Sequence, residues 1–145
     1  MKIYLSWSES FLVGVPELDA DHRALVQLIN EACDACARGE GGKLRQKIDA
    51  LRSLAAAHFA REEGVLDSLP EYRNPAAHAN EHRNRLRQLD RVASAVRSSE
   101  GSIDLVSLQS DLIDWFVQQA VGHDAKIKAY FDNSRREPAL RRREA

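Results

Sequence analysis

The stretch LRQKIDALRSLAAAHFAREEGVL, residues 44–66, decides the fold class because its apolar residues recur with the period of one helical face. They are separated by three or four residues, as in a helix that packs on other helices. The series consists of Leu44, Ile48, Leu51 and Ala55. The series continues to His58 and Glu62, two polar residues at positions where a helix face that packs in a core normally carries apolar side chains. The stretch therefore predicts an amphipathic helix that turns an imidazole and a carboxylate toward the core.

Three further segments have the same period, and clusters of Gly, Pro and Ser separate the four. The clusters are GEGG at 39–42, LPEYRNP at 69–75 and SSEGS at 98–102. The apolar series are Leu18, Leu25, Ile29, Ala32 and Cys36, then Leu86, Leu89, Ala93 and Val96, then Leu105, Leu108, Leu112 and Trp115. Short connections between helices of similar length favour antiparallel neighbours. We therefore predict an all-α fold, an antiparallel up-down-up-down four-helix bundle.

The length of 145 residues suits one domain with a single hydrophobic core. We predict that this domain comprises residues 1–134. Residues 1–17 include Trp7, Phe11 and Pro16 but show no helical period, and they are predicted to form an ordered N-terminal arm on the bundle.

Residues that favour helix starts stand near three of the four predicted helices. They are Asp19 or Asp21 for the first helix, Asn74 before Pro75 for the third, and Ser102 for the fourth. These positions predict where the helices begin.

The last residues, 135–145, contain five Arg and two Glu, whereas the formal net charge of the whole chain is -1. A short basic run at a terminus is typical of a solvated, frayed end. We therefore predict a disordered basic tail and no nucleic-acid partner.

Signals for membrane insertion or secretion are not found in the sequence. It contains no run of about eighteen apolar residues, and its first residues have no long apolar stretch of the secretory type. We therefore predict a cytoplasmic protein without a membrane partner. The two cysteines, Cys33 and Cys36, stand late in a helical segment, away from the helix start that would lower a thiol pKa. We interpret them as small apolar residues of the inner face rather than as a redox or metal pair.

Every predicted helix turns side chains of metal-ligand type toward the core. These residues are His22, then His58 and Glu62, then His78 and His82, and finally Gln119, His123 and Asp124. Several unpartnered buried polar groups would be costly, so they need a common partner. Residues four apart on a helix share one face and can chelate one centre. The pattern predicts a metal site, and its ligand types suit iron, manganese or zinc.

These residues resemble the hemerythrin family, in particular the bacteriohemerythrins. WSESFLVGVPELDADH (7–22) is similar to the family pattern of Trp, then VG, then D-x-x-H. HFAREE (58–63) matches HFxxEE, HANEH (78–82) matches HxxEH, and WFVQQAVGHDAKIKAYF (115–131) resembles the last family segment. The resemblance covers about residues 4–131.

The resemblance implies a non-haem di-iron centre, with an oxo or hydroxo bridge, that binds O2 or another small diatomic ligand. His22 and His58 would hold one iron, His78 and His82 the other, and the carboxylates of Glu62 and Asp124 would bridge them. The positions that would line the ligand pocket are Leu25, Trp115, Phe116, Gln119 and Ala120. The family usually has a larger apolar residue at the position of Ala120, so this pocket is expected to be wider.

The chain departs from the family at Gln119, because the family has a histidine four residues after the tryptophan of the last helix. Three interpretations stay open. Gln119 leaves the position to water or offers its amide oxygen as a weak ligand, His123 one turn later replaces the lost imidazole, or Gln119 orients another ligand.

We predict an O2-binding protein for oxygen storage, transport or sensing rather than an enzyme, with an altered second-iron site. The alternatives are a di-iron enzyme that acts on peroxide or nitric oxide and a bundle with reduced metal competence. The sequence does not specify the physiological ligand, the metal loaded in the cell, the oligomeric state or a signalling partner.

Overall fold

The computed structural model describes residues 2–68, 75–99, 103–124 and 127–129, without the side chains of Pro75 and His123. Four long helices dominate the described part, which contains no strand. They are α1 (Pro16–Ala37), α2 (Gly41–Asp67), α3 (Pro75–Ser98) and α4 (Leu105–Val117). A π-helical segment, Gln118–His123, continues α4. The predicted all-α fold with four helices is confirmed.

Side-chain pairs show how neighbouring helices are oriented. Late α1 meets early α2 through Glu31 and Lys47, whose charged atoms are 2.5 Å apart. Early α1 meets late α2 through Asp21 and Arg61, at 2.6 Å. These two contacts require α1 and α2 to run in opposite directions. Similar contacts relate α2 to α3 and α1 to the end of α4, and each helix packs on two others, as in a four-helix bundle.

The core contains the residues that the period placed inward. The members with less than 2% exposure include Leu18, Leu25, Ile29, Ile48, Leu51, Leu89, Leu108 and Leu112. Burial of such side chains is the main favourable contribution to folding. Cys33 belongs to this core, where burial, with a smaller effect of Cys36, raises the pKa of its thiol to about 11. It therefore packs as an apolar residue, whereas Cys36 is only partly buried.

The residues before α1 lie against the bundle. Leu5, Phe11 and Val13 are buried, and the amides of Tyr4 and Leu5 donate to Oδ1 of Asn30 at 2.7 and 2.8 Å. The Asn30 amide in turn donates to the carbonyl of Leu5 at 2.9 Å. These contacts fix the start of the segment on α1.

Three helix starts differ from the prediction. The first helix begins earlier, at Pro16, and Asp19 accepts hydrogen bonds from the amides of Val13 and Gly14 in the preceding segment. Gly14 has φ +93, which favours glycine. The second helix begins at Gly41, so part of the predicted connection is helical. The fourth begins at Leu105, three residues after Ser102, and its N-cap is Asp104.

Several predicted features lie outside the described residues. They include the cap at Asn74, the Ser102 side chain and the basic tail 135–145. Among the helices that are described, none combines the length and apolar character needed to cross a bilayer.

Candidate metal centre

Six of the predicted ligand residues form two adjacent groups at one end of the bundle core. One group consists of His22, His58 and Asp124, and the other of Glu62, His78 and His82. Within each group, the potential ligand atoms lie within 4.8 Å of one another. All six side chains are buried, with at most 3% exposure. Each group therefore offers two imidazoles and one carboxylate, a donor set that can hold a divalent transition metal.

Glu62 contacts both histidines of the second group. Its Oε1 lies 2.7 Å from Nε2 of His78 and 2.8 Å from Nε2 of His82. In the first group, Nε2 of His22 lies 2.9 Å from Oδ2 of Asp124. The six residues come from α1, α2, α3 and the end of the fourth helix, where Asp124 directly follows the π-helical segment.

The two groups meet at His58 and Glu62. Nε2 of His58 is 3.2 Å from Oε2 of Glu62, yet neither atom has a hydrogen-bond partner of good geometry in the described part of the chain. A buried imidazole nitrogen and a buried carboxylate oxygen without such partners are unfavourable. A cation bound between them would satisfy both, so these residues fit a metal.

The imidazoles and carboxylates of the centre shift each other's pKa values. Burial alone would lower the pKa of His58, but the nearby carboxylates of Asp124, Asp21 and Glu62 outweigh burial and raise it to about 11. Burial alone would raise the pKa of Glu62, but contacts with three histidines hold it well below its usual value. A metal bound through His58 must therefore compete with the proton that these carboxylates stabilise on its imidazole.

Two groups outside the predicted set orient the imidazoles. Asp21 lies 3.0 Å from Nδ1 of His58, and its carboxylate also accepts two hydrogen bonds from Arg61, at 2.6 and 2.9 Å. Nδ1 of His22 donates to the carbonyl of Phe11 at 2.6 Å. Each contact leaves Nε2 directed into the centre. Asp21 was predicted only as a helix start, and Phe11 was given no role in the site, because both contacts join residues that are distant in the sequence.

Aromatic and aliphatic side chains enclose the centre. The predicted pocket residues Leu25, Trp115, Phe116 and Ala120 are all buried, and the ring of Phe116 is 5.6 Å from that of His22. Phe59, which was not predicted, stacks on His82 at 4.2 Å. The shell excludes bulk water from both groups.

The π-helical segment changes the inward register at the end of α4. The amide of Asp124 donates to the carbonyl of Gln119, five residues earlier. Such a local widening inserts one residue into the helical turn and often occurs at functional sites. Consequently Gln119 and Asp124 are both buried, although they are five residues apart.

The Gln119 side chain contacts Asp124 directly. Its Nε2 donates to Oδ1 of Asp124 at 2.9 Å, while its Oε1 has no hydrogen-bond partner among the described residues. A carboxylate only accepts, so the amide nitrogen must face it. This contact favours the interpretation in which Gln119 orients another ligand. The side chain of His123 lies outside the described residues, and the α-helical spacing that placed it one turn after Gln119 does not apply in a π-helical segment.

Residues 13–131 match the family model described as the hemerythrin HHE cation binding domain. The chain belongs to the hemerythrin family. It is 30% identical over 123 residues to Myohemerythrin-1 of Phascolopsis gouldii, an alignment that covers 84% of this chain and 90% of that protein. It is 25% identical over 122 residues to the bacteriohemerythrin of Pseudomonas aeruginosa (strain LESB58), with 84% and 78% coverage. The predicted membership of the hemerythrin family is confirmed, and the matched region includes both groups of this hemerythrin-family bundle.

Proposed function

We propose that the chain is a non-haem di-iron protein that binds O2 reversibly, with a second metal position altered by Gln119. The observation that carries the proposal is the presence of two adjacent buried groups of ligand residues. They come together where Nε2 of His58, in the first group, lies 3.2 Å from Oε2 of Glu62, in the second. Membership of a family described as cation binding supports it. Storage, delivery or sensing of oxygen in the cytoplasm is part of the proposal.

The chain supplies the ligands and a buried apolar environment around them. His22 and His58 would hold one iron, and His78 and His82 the other, while Glu62 and Asp124 contribute the carboxylates. Bound iron would supply the electrons for reversible O2 binding. Leu25, Phe116 and the other buried apolar residues exclude water, which limits irreversible oxidation.

Metal analysis together with visible spectroscopy tests this function. We expect two irons per chain after anaerobic reconstitution, and a visible absorption band that appears in air and disappears when O2 is removed. A chain that holds iron but shows no reversible band would contradict O2 binding. A chain that holds fewer than two irons would instead indicate a bundle with reduced metal competence.

A second candidate is a di-iron enzyme that consumes peroxide or nitric oxide. The observation that favours it is the composition of the second group, where two imidazoles and one carboxylate leave one more position open than three imidazoles and one carboxylate would. Steady turnover of peroxide or nitric oxide, in place of a stable and reversible O2 complex, would support this candidate.

Replacing Gln119 with histidine is expected to tighten retention of the second iron by roughly tenfold and to slow autoxidation, because a further imidazole would close an open position. Competition with a chelator and the decay of the visible band in air measure the two effects. Gln109→His on α4 is the matched control, since residue 109 is not part of either group.

The open role of His123 requires its own variant. If His123 replaces the lost ligand, His123→Ala lowers the iron content and changes the visible spectrum. If both remain as in the wild type, the replacement hypothesis is wrong and the role of Gln119 as an orienting residue gains support.

A further inference from the structure

A groove of about 300 Å3 lies between α3 and α4 on the surface of the bundle. Its lining includes Leu89, Arg91 and Val92 from α3 and Asp111, Asp114 and Trp115 from α4. Leu89 and Trp115 are buried, with 1% and 4% exposure, and form its floor. The groove therefore extends from solvent to the packed core.

Trp115, at the floor of the groove, lies close to the metal centre. The ring of Trp115 lies 6.4 Å from that of Phe59, and Phe59 stacks on His82 at 4.2 Å. A single aromatic side chain thus separates Trp115 from a predicted metal ligand.

Arg85 of α3 lies next to the groove, since it bonds two residues of the lining, Trp115 and Gln118. Its carbonyl accepts a hydrogen bond from Nε1 of Trp115 at 3.0 Å, and its Nη1 donates to Oε1 of Gln118 at 3.0 Å. These two contacts join α3 to α4 and hold Trp115 in place. They form a barrier of polar contacts and one indole ring, which side-chain motion can open without unfolding the helices.

We propose that this groove is the entrance through which a small uncharged diatomic ligand reaches the metal centre, with Trp115 and Arg85 as its inner barrier. The inference rests on the proposed function. Because the ligand residues are at most 3% exposed, any external ligand must cross the surrounding shell. The groove has ample room for such a ligand, since a water molecule occupies only about 30 Å3 in the liquid.

The charges at the groove favour a neutral ligand. Asp111 and Asp114 contribute two carboxylates, against one guanidinium from Arg91, while the adjacent guanidinium of Arg85 is paired with Glu81 at 3.1 Å. A net negative mouth lowers the local concentration of small anions and leaves that of O2 or nitric oxide unchanged.

Filling the groove tests the proposal in the iron-loaded protein. We expect Val92→Phe to slow O2 association and dissociation by the same factor, roughly threefold or more, because a narrower entrance affects both directions. The dissociation constant stays unchanged, since residue 92 is distant from the bound ligand. Ser94→Phe adds the same side chain to an exposed position of α3 outside the groove and serves as the control. Val92→Met replaces Val92→Phe if the latter does not fold.

A second measurement does not require iron. In metal-free Trp7→Phe protein, Trp115 is the remaining tryptophan, and quenching of its fluorescence by dissolved O2 reports access through the groove. Val92→Phe should reduce the quenching rate, whereas Ser94→Phe should not. Unchanged quenching together with unchanged association would overturn the proposed entrance. If the iron-loaded protein binds no O2 but the quenching still depends on residue 92, the proposed function fails, whereas access of O2 through the groove as far as Trp115 stands.

Discussion

Replacing Glu62 with alanine is expected to abolish binding of both metal ions. The metal affinity should fall by more than about 100-fold, which exceeds the loss expected when a residue that only supports the ligands is mutated. Glu62 contacts His58, His78 and His82, so its carboxylate joins the two groups. The metal-free protein should also lose about 3–5 kcal/mol of unfolding free energy, because buried imidazoles would lose their counter-ion. Isothermal titration with Fe2+ or Co2+ and chemical denaturation measure the two effects.

Two further variants separate metal binding from folding. Glu62→Gln keeps an oxygen that can accept hydrogen bonds from His78 and His82 but removes the negative charge. We expect it to fold better than Glu62→Ala while binding metal poorly. Glu17→Ala removes an exposed carboxylate of α1 and should change neither property. Normal binding of two metal ions by Glu62→Gln would contradict the central position of Glu62.

Replacing Asp21 with alanine is expected to weaken metal binding by about 10–100-fold, although Asp21 belongs to neither ligand group. Asp21 contacts Nδ1 of His58 and thereby orients the opposite nitrogen, Nε2, into the centre. Loss of this acceptor leaves the imidazole free to rotate and less basic. Metal affinity is measured by titration, and the exchangeable Nδ1 proton of the histidine is followed by NMR in the Co2+-loaded protein.

The neighbours of Asp21 provide graded controls. Arg61→Ala leaves the contact between Asp21 and His58 in place, so its effect should be smaller. Asp90→Ala breaks the exposed ion pair with Arg52 and should leave metal affinity unchanged. If Asp21→Ala binds metal as tightly as Asp90→Ala does, Asp21 does not position His58.

Helical period explains why so much of the fold follows from local sequence. The steps between Leu44, Ile48 and Leu51 occur within one helix, and the side chains of one helical face become buried together when helices pack. The same period placed His58 and Glu62 inward, because their positions continue the series. Helix boundaries were less accurate. The first helix begins with Pro16 at its first turn, and the fourth follows Asp104, whose side chain accepts a hydrogen bond from the Ser107 amide, so these starts depend on local capping rather than on period.

Contacts between distant residues were not accessible in this way. His22 and Asp124 lie 102 positions apart in the chain, yet their side chains are 2.9 Å apart. The spacing of His22 within its own helix gives no information about which carboxylate it meets. The supporting contacts of Asp21 and of the Phe11 carbonyl are equally non-local, which explains why they were not predicted as parts of the centre.

The sequence by itself determined the number of helices, the inward face of each, and the kinds of polar side chain that these faces carry. The tertiary structure alone decided which carboxylate lies with which pair of histidines, which atoms orient the imidazoles, and that Gln119 donates to Asp124 within a widened turn. The physical reason is that a helical face results from repeated local geometry. The position of a ligand atom, in contrast, depends on how separate segments pack and on one hydrogen bond that spans five residues instead of four.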